Sequence, residues 1–236
     1  MNISIVIPIY NESKNLNKLN KKIYFFLKKI NFEIIFVDDN STDDSVLILK
    51  NICKKFLKTK FIIRRKEQRD LTQSCFLGVQ KSMYQNILIM DGDLQHNPSD
   101  IPKMIKIFFD KKIDILIGIR DFKKKITGLS YIRFYISKLL IIFLNLFFDT
   151  KTNDPLSGFF IFKKKIYIKN KKYYFGKGYK ILIDILYNTK DTIKVYDHKI
   201  NFRLRNAESS KMNYKIAIIF LKFIFLCFFK KFKKIF

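Results

Sequence analysis

Histidine and cysteine are scarce in this chain. His96 and His198 stand alone, and Cys53, Cys75 and Cys227 lie far apart. No pair has the spacing of a zinc ligand set, so a His/Cys zinc centre is excluded, and the three thiols are expected to be small buried hydrophobes in a reducing compartment. Glycine is rare too, at 7 residues, and neither G-x-G-x-x-G nor G-x-x-x-x-G-K-[ST] occurs. That removes a dinucleotide fingerprint and a P-loop. With 4 prolines and no Pro/Gly/Ser-rich stretch, no linker divides the chain, and no internal repeat is present. Ile3 to Ile9 is too short for a secretory signal and is interrupted by Ser4 and Pro8, so the active domain is expected in the cytoplasm. Acidic residues number only 20 against 47 basic ones, and tryptophan is missing altogether.

What is present is a 236-residue chain that is 48% hydrophobic, enough for one large domain, or one domain with a small appendage, around a real core. A formal net charge of +27 would ordinarily suggest nucleic acid or an anionic membrane surface. A competing explanation is compositional drift. The basic residues are 40 Lys and 7 Arg amid abundant Ile, Asn, Phe and Tyr, all with A/T-rich codons. In such a chain an arginine is less expected as filler, and it does not interchange with lysine where a planar fork is needed.

The runs ISIVIPIY (3–10) and FEIIFVDD (32–39) have the apolar, β-branched character of strands buried on both faces. Between them Leu16, Leu19, Ile23, Phe26 and Ile30 recur at helical spacing. The alternation predicts a helix over 43–57, strand 60–64, helix 71–84, strand 86–91, helix 98–109 and strand 113–118. This is an α/β, doubly wound and mostly parallel sheet over roughly the first 120 residues, with ligands expected at the carboxyl ends of its strands. The character changes after Arg120. LSYIRFYISKLLIIFLNLFF (129–148) is a long apolar helix with only Arg133 and Lys138 charged, and IAIIFLKFIFLCFF (216–229) is flanked by lysines and interrupted by Lys222. The second run falls short of the roughly 20 residues that span a bilayer. Both are expected to lie at a membrane interface, with core helices as the alternative.

Two acidic strand ends concentrate the chemistry. In IMDGDLQHNP (89–98), Asp91, Asp93 and Gln95 fall at alternate positions and would share one side of an extended strand end. Two carboxylates and an amide oxygen suit Mg²⁺ or Mn²⁺ carrying phosphates. Gly92 would let the backbone turn closely there. The plainer alternative is a turn in which Asn97 caps a helix with Pro98 at its first position; that leaves Asp91 and Asp93 without a role. In VDDNSTDDS (37–45), Asp43 or Asp44 could cap the following helix, whereas Asp38 and Asp39 come too early and could hold a ribose or a base edge.

Taken together, IVIPIYNE (5–12), VDDNSTD (37–43), DGDLQHNPSDIP (91–102), DPLSGFF (154–160) and FRLRNAESSK (202–211) resemble family 2 glycosyltransferases of the GT-A fold. Within that family they are most similar to polyprenyl-phosphate (dolichyl-phosphate) mannosyltransferases, and RRKEQRDL with Cys75 and Gly78 looks like the bacterial branch. The resemblance runs in order from Asn2 to about Lys211 and implies a glycosyltransferase domain over 1–211, followed by a basic, apolar, membrane-associating helix over 212–236. It implies that Pro8, Tyr10, Glu12, Val37 and Asp39 line a nucleotide pocket. It implies that Asp91, Asp93 and Gln95 bind the divalent metal, and that Arg120, Arg133, Arg205 and Lys211 face the acceptor phosphate or the leaving diphosphate, with Asp91, Asp93, Arg120 and Arg133 carrying catalysis. The chain departs from the family near 206–209, where Asn-Ala-Glu-Ser-Ser-Lys replaces a Gly-Glu-Ser-Lys run and puts Glu208 out of step.

The absences now bear on the acceptor. Transfer to a sugar hydroxyl needs a general base, and in this family that is often the Asp of a Glu-Asp dipeptide. None of Glu12, Glu33, Glu67 and Glu208 is followed by Asp, and a chain without Trp cannot hold the Gln-x-x-Arg-Trp motif of processive members. A lipid phosphate is already ionised and needs cations instead, each charge-assisted contact contributing about 1.5–3 kcal/mol. The expected partners are a nucleotide diphosphate-sugar, polyprenyl phosphate and the cytoplasmic face of a membrane, with no nucleic acid. Two other readings stand beside it: a family 2 enzyme using a UDP-sugar or another acceptor, with Asp154 or Asp184 as candidate base, and a basic nucleic-acid- or lipid-binding protein without catalysis.

Overall fold

The computed structural model describes residues 1–66, 68–120, 141–142, 144–145, 151–178, 181–189 and 192–201. Arg133, Arg205, Lys211, Cys227, most of 129–148 and all of 212–236 lie outside the described residues.

Strand β1 (Asn2–Ile9) leads through α1 (Ser13–Phe26) to β2 (Asn31–Asp38), α2 (Ser45–Lys55), β3 (Thr59–Ile63), α3 (Leu71–Lys81) and β4 (Asn86–Ile89). A short 3₁₀ turn (Pro98–Asp100) opens α4 (Ile101–Asp110), followed by β5 (Ile115–Arg120). Then come β6 (Phe160–Lys163), α5 (Lys164–Asn170), a second 3₁₀ turn (Lys171–Tyr173), α6 (Ile181–Asn188) and β7 (Val195–Ile200). The seven strands form one sheet in the order β3-β2-β1-β4-β6-β5-β7.

Alternation along each strand sends side chains to opposite faces and builds two cores. Ile3, Ile5, Ile7, Ile34 and Phe36 pack with Leu16, Leu19 and Ile23 of α1, Leu49 and Ile52 of α2, and Met104 and Phe108 of α4. Val6, Ile35, Val37, Ile87 and Ile89 pack on the other side with Cys75 and Val79 of α3 and with Leu182 and Ile185 of α6. Each fully buried Ile or Leu stabilises this three-layer sandwich by roughly 1.5–3 kcal/mol, an upper figure. In α1 the expected stripe holds at Leu16, Leu19 and Ile23, but the helix ends at Phe26 and Leu27, fully buried, takes the next core place.

Beyond β5 the sequence reading needs correction. The sheet does not stop near residue 120: β6 enters between β4 and β5 and runs antiparallel to both, pairing Asn86 with Lys163 and Ile115 with Phe162. β7 then adds in parallel to β5, from Ile115↔Val195 to Arg120↔Ile200. A four-residue strand has no periodicity to detect, and β7 (VYDHKI) lacks the apolar run that marks the inner strands. Among the described residues no helix is long and apolar enough to cross a membrane. Of the 129–148 segment, only helical residues 141–142 and 144–145 are described, and Ile141 and Leu144 are buried.

Candidate active site

The carboxyl ends of β1, β2 and β4 bring the acidic loops together, because these strands are neighbours and parallel, with Ile9 in register with Asp38 and Val6 with Ile89. The β1–α1 and β2–α2 loops lock to each other. Asn11, at φ +53°, receives bonds from and donates to the second loop: its amide N–H reaches Ser41 Oγ at 2.9 Å, and Thr42 N–H reaches its Oδ1 at 2.8 Å. Glu12 N–H donates to Ser45 Oγ at 3.0 Å. Asp43 supplies the expected cap, and more than that. Its Oδ1 accepts from Ser45 N at 3.0 Å at the start of α2, and its Oδ2 accepts from Ser13 N at 3.1 Å at the start of α1. The neighbouring Asp44 makes no side-chain cap bond. Those donors outweigh partial burial and hold the Asp43 carboxyl below its ordinary pKa.

Pro8 and Val37 are buried in the strand ends, Glu12 is buried beside them, and Tyr10 is half-exposed. Asp39 is buried and bonded. Arg64 places Nε 2.6 Å and Nη2 2.5 Å from its Oδ1, and Asp70 N–H donates to its Oδ2 at 2.7 Å. Burial raises the pKa of Asp39, against Arg64 and the Asp70 N–H, which pull it down. Asp38 is turned to the protein instead: its Oδ1 accepts from Ser41 N at 2.9 Å, and its buried Oδ2 meets no donor among the described residues. Arg69 lies over the Tyr10 ring, 4.1 Å from its centroid. Arg64 and Arg69 received no role in the sequence reading. The signal was there, since three of only 7 arginines, Arg64, Arg65 and Arg69, fall within one short loop.

The β4 end departs from expectation. The strand stops at Ile89, and Leu94 sits at φ +64°, so residues 91–95 form a turn rather than an extended end, and the argument from strand alternation does not hold there. Gly92 is required for space, not for a special dihedral: a Cβ on it would lie 2.8 Å from Ile9 Cγ2. The turn is drawn tight by Asp93 Oδ1, which accepts from Gln95 N at 3.1 Å, and by His96 Nδ1, which accepts from Asp91 N at 3.2 Å. Burial pushes the His96 pKa down to about 4, so the imidazole is neutral near pH 7 and its Nδ1 can accept. Asn97 caps the Pro98 turn as expected, through Ser99 N at 3.3 Å.

Asp91 keeps 38% of its side chain exposed, and Asp93 is buried. Among the described residues no three His, Cys, Asp or Glu side chains form a metal cluster. The candidate set here is two carboxylates and one amide oxygen, all hard donors of the kind Mg²⁺ or Mn²⁺ takes. Room has also been kept at that carboxylate: a Cβ on Gly158 would lie 2.8 Å from Asp91 Oδ2. Donor chemistry and space together fit a divalent cation.

Arg120, at the end of β5, is held by Asp154 in a two-pronged pair, Nε to Oδ2 at 2.8 Å and Nη2 to Oδ1 at 2.9 Å. Asp154 is fully buried and Arg120 is 19% exposed. From Asp154 the chain continues past Ser157, whose Oγ donates to Gly118 O at 2.7 Å, and Gly158, against Asp91, to Phe159, whose ring stacks on His96 at 5.0 Å. One stretch, 154–159, therefore touches both the arginine and the acidic turn. Asp184, the other carboxylate considered as a base, is buried and accepts from Phe175 N, Gly176 N and Asn188 Nδ2 at 2.9, 2.7 and 2.7 Å. Cys75 is buried with its thiol pushed well above its ordinary pKa, and Cys53 is half-buried with a raised one, as expected of packing residues.

A family model described as Glycosyl transferase family 2 matches residues 4–170. The chain is 33% identical over 230 residues to a Pyrococcus furiosus protein named dolichol-phosphate mannosyltransferase, covering 95% of this chain but 63% of that protein's length. It is 27% identical over 237 residues to the dolichol-phosphate mannosyltransferase of Saccharomyces cerevisiae, covering 93% and 84%. Among solved structures, glucosyl-3-phosphoglycerate synthase from Mycobacterium tuberculosis, crystallised with Mn²⁺, uridine diphosphate and glucosyl-3-phosphoglycerate, matches with a TM-score of 0.69. At 16% identity over 88% of this chain and 73% of that one, the likeness is one of fold.

Proposed function

The chain belongs to glycosyl transferase family 2, and from that premise we propose that it moves mannose from GDP-mannose onto a polyprenyl phosphate, dolichyl or undecaprenyl, at the cytoplasmic face of a membrane. The names of the relatives over 95% and 93% of the chain support the acceptor class. The observation that carries the reading is the stretch 154–159, which joins Arg120 to the turn bearing Asp91. In this reading one end of the stretch holds the guanidinium for the acceptor phosphate, and the other packs against a carboxylate that would hold the metal for the diphosphate.

In this mechanism Pro8, Tyr10, Glu12, Val37 and Asp39 hold the nucleoside, with Asp39 fixed in place by Arg64. Asp91, Asp93 and Gln95 would hold Mg²⁺ or Mn²⁺, which when bound supplies positive charge to the departing diphosphate. Arg120, with Arg133, Arg205 and Lys211, receives the acceptor phosphate. That phosphate is already ionised, so no residue has to take a proton. Its oxygen bonds to the anomeric carbon as the bond to the nucleoside diphosphate breaks, so an α-linked donor gives a β-linked product. On this reading the apolar stretches of the sequence at 129–148 and 216–236 serve to keep the enzyme at the headgroups, where the acceptor's phosphate lies.

The test is transfer of radiolabel into extractable lipid from GDP-mannose, UDP-glucose and UDP-N-acetylglucosamine in parallel, with polyprenyl phosphate and either cation. Metal-dependent labelling from GDP-mannose, lost by about 10²–10³-fold in Asp93→Ala, is expected. Labelling from a UDP-sugar alone would replace the donor, and no labelled lipid from a protein that still binds nucleotide and metal would overturn the acceptor.

A further inference from the structure

We propose that Asp197 is a positioning residue for Arg120, acting through the turn 152–154; this rests on the reading of Arg120 as an acceptor-phosphate ligand. Asp197 lies on β7 opposite Ile117, the same strand pair that places Arg120 opposite Ile200. Its carboxylate gathers three donors from a single turn: Thr152 Oγ1 at 2.6 Å, Asn153 N at 2.7 Å and Asn153 Nδ2 at 2.8 Å. Thr152 Oγ1 then accepts from Asp154 N at 3.2 Å, and Asp154 carries the two-pronged bond to Arg120.

The turn belongs to no helix or strand, and it is entered through Lys151 at φ +54°. No sheet ladder fixes it, so its backbone depends on side-chain acceptors, and an ionised carboxylate is the strongest acceptor a side chain offers. A planar guanidinium bonded at two points has its orientation set by the carboxylate it meets. Displacing Asp154 by the slack of an unclasped turn would turn Arg120 away from where a phosphate is to be received. On the far side, Ser157 N donates to Asp154 O at 3.1 Å, so the clasp at Asp197 is one of two supports for this buried acid.

The experiment compares full-length wild type with Asp197→Ala, Asp197→Asn, Thr152→Val and Arg120→Lys. The first readout needs no substrate: the rate at which the Arg120 Nε–H exchanges with water, followed by ¹⁵N NMR. Exchange at least tenfold faster in Asp197→Ala is expected, with a smaller increase in Thr152→Val and partial restoration in Asp197→Asn, which keeps one acceptor oxygen. The second readout is kinetic. A rise of roughly tenfold in KM for polyprenyl phosphate, with KM for the nucleotide-sugar unchanged, is expected of Asp197→Ala; a merely structural role would lower kcat and leave both KM values alone. Wild-type exchange at Arg120 in Asp197→Ala and Thr152→Val overturns the proposal. If Arg120→Lys leaves the acceptor KM unchanged, the role of Arg120 falls, while the exchange rates still decide the role of Asp197.

Discussion

The two halves of the site are built by different means. On the proposed donor side, β1, β2 and β3 run parallel, and the β1–α1 and β2–α2 loops are tied to each other by several bonds: Asn11 to Ser41 and Thr42, Glu12 to Ser45, Asp43 to two helix starts. On the proposed acceptor side, β6 is inserted backwards between β4 and β5, and the turn before it is held by fewer bonds, Asp197 to the turn and Asp154 to Arg120. Redundant bonds share a load, so losing one costs little, and even the buried pair on the donor side, Arg64 with Asp39, has the Asp70 N–H beside it. Asp154 meets Arg120 through both prongs of one guanidinium, so removing either partner strands the other's charge.

Breaking the acceptor side should therefore have the largest effect. Asp154→Ala leaves Arg120 mostly buried without its carboxylate and should lower stability by about 3 kcal/mol. Thermal unfolding would show it, and a fall no larger than an ordinary surface change would mean the two halves are alike. On the donor side, Arg64→Ala removes one of two groups that fix Asp39, the other being the Asp70 N–H. A roughly tenfold rise in KM for the nucleotide-sugar is expected, about 1.4 kcal/mol, with KM for the lipid phosphate unchanged. Equal shifts in both constants would erase the distinction between donor and acceptor residues.

The smallest effect sharpens the contrast through pH. The folded pKa of Asp43 lies below its ordinary 3.8, so its stabilisation is complete above 3.8 and is lost as pH falls through the lower folded value. Asp43→Ala should cost about 1 kcal/mol near neutral pH. The difference in midpoint from wild type should then close as pH drops below 3.8. A gap that stays open in acid would show that something other than the charged caps is lost.

What could be read in advance follows the same divide. β1, β2 and the helix between them declare themselves because continuous apolar runs alternate with a helical stripe. The acidic strand ends stood out in the sequence as two clusters of carboxylates in so basic a chain, and the parallel strand order brings them to the same end of the sheet. Partnerships were not. Arg64 meets Asp39 across 25 residues and Arg120 meets Asp154 across 34, separations set by tertiary structure alone. The reading of 91–95 as an extended end failed for a local reason, the left-handed backbone at Leu94, which a leucine discourages and packing imposes. Thr152, Asn153 and Asp197 gave no signal at all, being ordinary polar side chains whose meaning lies in a strand pairing, and Asp154 stood out only as a candidate base at the head of DPLSGFF.

The backward insertion of β6 also bears on how the sheet can assemble. β4 and β5 share no ladder of their own; the sheet is continuous across them only once Phe160–Lys163 has threaded into the gap. A polypeptide emerging from the ribosome can form the β1–β2–β3 unit early, from contacts close in sequence. The central seam takes in a segment about forty residues beyond β5, a pairing of high sequence separation of the kind that slows folding. Without β6, one edge of β4 and one of β5 would lack a strand partner, an adhesion hazard for two apolar strands. The strand ends that carry Asp38 and Asp39 can thus form before Arg120 meets Asp154, and β7, later still in the chain, completes the sheet beside β5.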